Sequence, residues 1–130
     1  MPITEKIELQ DPRLLRDSLF IAGEWTPSSD DGRTAVTNPA TGQVIAEVSM
    51  ATAEDVQRAI DFADSAFKSW AQMTAIARAK IMRDWFQLTL DNVEDLARIL
   101  TSEQGKPLAE ARAEIIYGAG FIEWLSLIHI

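Results

Sequence analysis

The sequence predicts short β-hairpins followed by about four α-helices. Three observations carry this. Turn signals crowd the first fifty residues between short apolar runs. At Thr52 the apolar period changes from extended to helical. Near the far end, Gly105 and Pro107 form a double stop between two helical stretches.

The elements follow in order. Residues 1–17 show no sustained period and contain Asp11-Pro12, so they read as a loose arm. Leu19-Phe20-Ile21-Ala22 is a short apolar strand closed by Gly23, and Trp25-Thr26 returns as a second strand before Pro27. Ser28-Ser29-Asp30-Asp31-Gly32 is a turn cluster, and residues 34–37 form a third strand. In Asn38-Pro39-Ala40-Thr41-Gly42, Pro39 presets φ at the second turn position and Gly42 tolerates positive φ. Residues 44–48 return as the paired strand.

Thr52-Ala53-Glu54-Asp55 resembles a capping box, with Thr52 at the cap and Asp55 at the third position. Val56, Ile60, Ala63, Phe67 and Trp70 then share one face. A second helix starts after Thr74 with Ile81, Met82, Trp85 and Leu88 as its apolar stripe, and Asp91-Asn92 interrupts it. A third carries Leu96, Ile99 and Leu100 to Gly105. A fourth runs over residues 107–124 and is apolar on two sides. Leu108, Ala111, Ile115, Ala119 and Ile122 make one face, and Tyr117, Phe121 and Trp124 the other. A helix apolar on both sides is normally covered on both sides, and little in the chain remains to cover the second, which suggests a missing partner segment.

Composition narrows the chemistry. The 130 residues carry 12 basic and 20 acidic side chains, a net charge of −8 that disfavours nucleic acid and anionic membranes. No run approaches the roughly 20 apolar residues of a membrane helix, and residues 1–17 lack the apolar centre of a secretory signal. A soluble, cytoplasmic protein is expected. The absence of cysteine excludes a thiol nucleophile, a disulfide or a cysteine–zinc site within these residues. The single histidine, His129, makes neither a metal site nor a catalytic triad. Gly118-Ala119-Gly120 opens like a dinucleotide fingerprint but sits inside a helix and meets Glu123 at the sixth position. Small residues for close helix packing are the better reading. Glu103, Glu110 and Glu114 are read as structural or solvated carboxylates, and the tryptophans on helical stripes as core.

Glu103-Gln104-Gly105-Lys106-Pro107 has a plain local meaning: a helix end, a glycine terminator, a lysine facing the helix carbonyls and a proline stop. Together with Leu108-Ala109-Glu110-Ala111 and Phe121-Ile122-Glu123-Trp124, it also resembles the aldehyde dehydrogenases, most nearly the succinate-semialdehyde dehydrogenase branch. Leu19-Phe20-Ile21-Ala22-Gly23-Glu24-Trp25 resembles that family's first hairpin and Asn38-Pro39-Ala40-Thr41-Gly42 its Asn-Pro-x-x-Gly turn. Residues 74–78 and Asp84-Trp85-Phe86 resemble the helix that follows.

The resemblance implies an α/β fold of the aldehyde dehydrogenase type and oxidation of an aldehyde to a carboxylate with hydride transfer to NAD or NADP. It makes this chain an amino-terminal fragment, with residues 18–124 the first part of the cofactor-binding region. The family's cysteine nucleophile, glutamate base and oxyanion-holding asparagine fall beyond the matched stretch. No catalytic or cofactor-binding residue carries over, and neither activity nor cofactor binding is expected of the fragment alone. For the full-length enzyme the resemblance implies succinate semialdehyde as substrate and a homo-oligomer. Some family members bind an alkali cation through backbone carbonyls before the Asn-Pro turn and an acidic side chain on the third helix, here Val36, Thr37 and Glu103. Relatives with that site often have aspartate where Glu103 stands, and the plainer reading is a strand end and a helix end.

Past Trp124 the resemblance stops. Leu125-Ser126-Leu127-Ile128-His129-Ile130 equals one in-frame translation of a transposase-type sequencing adapter, so residues 125–130 read as a non-native tail. A different class of reading also stands: a self-contained helical interaction module that uses the aromatic face of the fourth helix. Another aldehyde dehydrogenase branch is the further alternative.

Overall fold

The computed structural model describes residues 3–128. Two antiparallel hairpins precede four helices, as the sequence predicts. In the first, β1 (Leu19–Ile21) pairs with β2 (Glu24–Thr26), Ile21 opposite Glu24. Ala22 and Gly23 have φ of 56° and 86°. Positive φ at both central residues is what a type I′ turn requires, because that turn's twist matches the strands it joins. In the second, β3 (Arg33–Thr37) pairs with β4 (Val44–Ser49). The register slips between Val36 and Thr37, which face Ala46 and Val44, so Ile45 bulges out of the ladder. Ile45, Val44 and Ala46 are buried and, with Ile21, supply the strands' share of the core.

The intervening turn closes as its residue types dictate. The Asn38 side-chain oxygen accepts from Ala40 N–H at 3.0 Å, its carbonyl accepts from Gly42 N–H at 2.7 Å, and Gly42 has φ 71°. Residues 3–17 carry no periodic signal, yet they are tied at both ends. Thr4 and Glu5 N–H donate to the Val44 carbonyl, and the Glu5 carboxylate accepts from Asn38 Nδ2 and Thr41 Oγ1. At the other end, Gln10 and Asp11 N–H donate to the Asp95 carboxylate at 2.9 and 2.8 Å. Backbone amides make much of this attachment, and sequence periodicity does not report on them.

Helix α1 (Ala53–Gln72) begins with the predicted capping box: Asp55 N–H donates to Thr52 Oγ1 and Thr52 N–H to the Asp55 carboxylate. Helix α2 (Ala75–Asp91) is capped by Thr74, whose hydroxyl accepts from Ala77 N–H. Asn92 ends it. Helix α3 (Val93–Gln104) stops at Gly105, whose φ of 81° is the left-handed conformation glycine adopts freely. Helix α4 (Leu108–Leu127) continues through Leu125-Ser126-Leu127. His129 and Ile130, the end of the predicted tail, lie outside the described residues. None of the described helices is long and apolar enough to cross a membrane.

Helices α2, α3 and α4 pack together through alanines. Ala79, Ala97, Ala111 and Ala119 are each at most 1% exposed, so the backbones approach closely and the large side chains are displaced to the outer faces. This corrects the sequence reading of α2. Its inward face is Ala79 with half-buried Met82 and Phe86, while Ile81, Trp85 and Leu88 of the predicted stripe are exposed. The tryptophans on the α1 and α2 stripes, expected in the core, follow the same pattern: Trp85 is exposed and Trp70 half-buried, while Trp25 on β2 and Trp124 on the second face of α4 are exposed too. Val56, Ile60 and Phe67 of the α1 stripe are also exposed. Periodicity identifies an apolar face correctly but does not say whether its cover lies in the same chain.

Candidate functional site

The motifs that stand out in the sequence meet in space. The left-handed turn at Gly105 brings the end of α3 against the Asn-Pro turn, and a Cβ built on Gly105 would lie 2.9 Å from Pro39 Cγ. Gly105 is thus required twice, by its φ and by the proline beside it. Beyond it, Lys106 pairs with Glu114 on α4. Glu94 on α3 takes a two-pronged bond from Arg112, at 2.6 Å from Nε and 2.9 Å from Nη2. That guanidinium holds the Glu94 carboxyl below its usual range, and Glu94 in turn raises Arg112. The three acidic residues weighed from sequence therefore separate: Glu114 is an ion-pair partner, and Glu103 and Glu110 are exposed.

Glu103 lines a cleft of about 490 Å³ with Arg13, Leu14, Leu15, Arg16, Trp25 and Ile99. Arg13 is held in a forked bond to Asp11, which lowers the Asp11 pKa to about 2. Arg16 lies over the Trp25 ring, 5.1 Å from its centroid. Val36 and Thr37 are on β3, which contacts α3, but they are not among the residues lining this cleft. Glu103 shares its cleft with two guanidiniums, whereas a cation needs several oxygens without competing positive charge. Among the described residues, no three His, Cys, Asp or Glu side chains are grouped to hold a metal ion.

The most heavily bonded carboxylate is one the sequence shows only as a capping residue. Asp55 is fully buried. Its Oδ2 accepts from Thr52 N–H at 3.0 Å, Ser29 N–H at 3.1 Å and nearby hydroxyls, and Arg58 stands 3.3 Å from Oδ1. The Thr52 and Ser29 amides hold its carboxyl well below the usual carboxylate range. Asp55 thereby fastens the 28–32 loop to the start of α1. Asp95 does the corresponding work for the opening arm. From sequence it reads only as an acid in the first turn of a helix, because its partners are backbone amides 84 and 85 residues away.

The hydroxyls that meet carboxylates here, Ser28 and Thr52 at Asp55 and Thr41 at Glu5, close loops, a turn and a helix cap. Residues 25–127 match the model of the aldehyde dehydrogenase family. The chain is 48% identical over 121 residues to the glutarate-semialdehyde dehydrogenase of Pseudomonas putida, covering 92% of this chain and 25% of that protein. It is 44% identical over 120 residues to the NADP(+) succinate-semialdehyde dehydrogenase GabD of Escherichia coli, again covering 92% and 25%. Among solved structures, the succinate-semialdehyde dehydrogenase from Burkholderia pseudomallei superposes with a TM-score of 0.89 at 47% identity, covering 91% of this chain and 24% of that one. The chain spans about a quarter of the length of these relatives. It has the aldehyde dehydrogenase fold over its hairpins and helices and belongs to the aldehyde dehydrogenase family.

Proposed function

We propose that this chain is the amino-terminal segment of an NAD(P)-dependent, succinate-semialdehyde dehydrogenase-like enzyme that oxidises a small aldehyde to its carboxylate. The observation that supports this most directly is identity of 44–49% over nine-tenths of the chain to several such enzymes. Their names concern succinate and glutarate semialdehydes and 3-sulfolactaldehyde, all short aldehydes with an acidic group at the far end. We extend that substrate class to the whole enzyme, together with NAD or NADP as hydride acceptor, a homo-oligomeric state and a cytoplasmic location.

The chain's own part is structural. It brings no cysteine to the reaction, and a thiolate is the nucleophile that the family resemblance calls for. The 130-residue polypeptide alone should therefore reduce no NAD(+) or NADP(+) with succinate semialdehyde above a protein-free blank. Turnover by purified chain, free of host enzyme, would overturn this reading. For Glu103 we favour a structural carboxylate over an alkali-cation ligand with Val36 and Thr37, because Arg13 and Arg16 share its cleft. The check is thermal unfolding in sodium, potassium and choline chlorides. A sodium- or potassium-specific rise that Glu103→Gln abolishes would restore the cation site.

A further inference from the structure

The outer face of α4 holds a feature that its apolar character alone does not explain. Tyr117, Phe121 and Trp124 are 69%, 52% and 65% exposed. They surround an open groove of about 370 Å³ whose remaining lining residue is Gly120. These four positions are spaced i, i+3, i+4, i+7, so they form one strip along the helix. Tyr117 and Phe121 meet edge to face with centroids 4.8 Å apart, which fixes one wall. A Cβ built on Gly120 would touch nothing within 4 Å. Of the small residues Gly118-Ala119-Gly120, neither glycine has a described neighbour within 4 Å of the position its Cβ would take. It is Ala119, between them, that packs at the inner seam.

A glycine in the middle of a helix weakens that helix, and here no described residue uses the space it opens. The groove has aromatic walls and no charged lining residue. Relatives at 44–48% identity have about three times as much polypeptide again beyond the matched quarter. We propose that Gly120 is the floor of a socket, walled by Tyr117, Phe121 and Trp124, that receives an apolar side chain from the remaining three-quarters of the enzyme polypeptide. The inference rests on the proposed reading of the chain as an enzyme segment. It adds the surface, the position of closest approach and the apolar chemistry of what enters.

The test grafts residues 1–124 of this chain in place of the matching quarter of the Pseudomonas putida glutarate-semialdehyde dehydrogenase. The Escherichia coli relative serves as a second background. Thermal unfolding is followed for the graft and for the isolated chain, each with Gly120, Gly120→Ala or Gly120→Leu. The isolated chain should gain helical signal and melt higher with Ala. The graft should melt lower with Ala and lose most of its soluble yield with Leu. A graft that tolerates Leu with an unchanged midpoint would overturn the proposal. So would an isolated chain whose dimer is dissolved by Gly120→Leu while the graft is unaffected, because the occupant is then a second copy. A graft insoluble in both backgrounds, with Gly120 intact, also counts against it. Semialdehyde oxidation is read separately: a folded graft without turnover counts against the proposed function, while the midpoint series still decides the socket.

Discussion

The two halves of the chain are held together by different physics. The strand half is fastened by carboxylates that reach far along the chain: Asp55 at the 28–32 loop and Asp95 at the opening arm accept backbone amides, and Glu5 accepts the Asn38 side-chain amide and the Thr41 hydroxyl at the Asn-Pro turn. The helical half is sealed by alanines, with its aromatics and long aliphatics turned outward. The first arrangement is complete within the chain, since each of these carboxylates has its partners in place. The second leaves large apolar side chains that the described residues do not cover. Alanine seams bring helices close but bury little area per residue, so the free energy available from Trp85, Phe121 and Trp124 is not collected here. Domains normally bury both faces of a helical layer.

Removing Asp55 should have the largest effect on the strand half. Asp55→Ala leaves the Ser29 and Thr52 amides without their acceptor and removes the capping box of α1. The expected drop in Tm is on the order of 10 °C. The same carboxylate sets an acid limit. Its folded pKa is depressed, so the unfolded chain takes up its proton first as pH falls. Stability is fully present above the ordinary carboxylate pKa near 4 and declines below it. Asp55→Asn should be less stable at pH 7 and should flatten the decline below pH 4. A midpoint measured from pH 7 to pH 3 that falls equally steeply in both proteins would show that other groups set the limit.

The outer face of α4 tests the opposite half. Phe121→Ser with Trp124→Ser removes two large exposed apolar groups from a helix whose inner seam they do not touch. Exposed contiguous apolar surface drives association. The double variant of the isolated chain should associate on the order of 10-fold more weakly or less, at about 1.4 kcal/mol per decade. In the full-length enzyme the same change should lower soluble yield. Sedimentation velocity over a range of concentrations reads the first effect. A wild-type chain that is monomeric, unfolds cooperatively and is unimproved by the substitutions would make the helical half complete in itself and favour the interaction-module reading.

This contrast also explains how much was legible beforehand. The strands, the two turns, the capping box at Thr52 and Asp55 and the Gly105 stop are local, and local residue types determined them. The two-sided character of α4 was legible for the same reason. Which residues of α2 faced inward was not. On α2, Trp85 and Leu88 look like core by size, yet Ala79 is the buried residue, because close helix approach rewards the smallest side chain. The attachment of the opening arm was illegible because Asp95 reaches amides more than eighty residues away. At the candidate site, the resemblance placed Glu103 and the Asn-Pro turn near each other in function. The structure adds Arg13 and Arg16, which come from the arm and have no sequence signal linking them to Glu103.

Gly105 joins the two halves, and substituting it separates their contributions. Gly105→Ala imposes a left-handed conformation on a residue with a Cβ, which costs about 1–2 kcal/mol. It also drives that Cβ to 2.9 Å from Pro39 Cγ. The total should exceed the conformational cost alone, at roughly 2–3 kcal/mol with partial relaxation. Pro39→Ala in the same chain should recover only the steric part. Urea unfolding of the two single variants and the double variant gives the coupling directly. Additive losses would mean that the turn and the helix end are not in energetic contact.

The smallest effect belongs to the Glu94–Arg112 pair, and it sharpens the comparison from the other side. This is a carboxylate bond inside the half that alanines hold, so it asks whether polar fastening matters there. The geometry is good, with two donors at 2.6 and 2.9 Å. Both side chains are nevertheless about two-fifths exposed, at 43% and 39%. Water competes for such a pair, and ordering two long side chains offsets much of the attraction. Arg112 also sits next to Ala111 in the seam, so truncating it would mix lost packing with lost charge. Glu94→Gln is therefore the cleaner change: it keeps the shape and removes the charge. The expected loss in Tm at pH 7 is about 2 °C or less, and it should vanish near 1 M salt, where the screening length is about 3 Å. A loss approaching that of Asp55→Ala, insensitive to salt, would mean that the helical half depends on polar fastening as the strand half does.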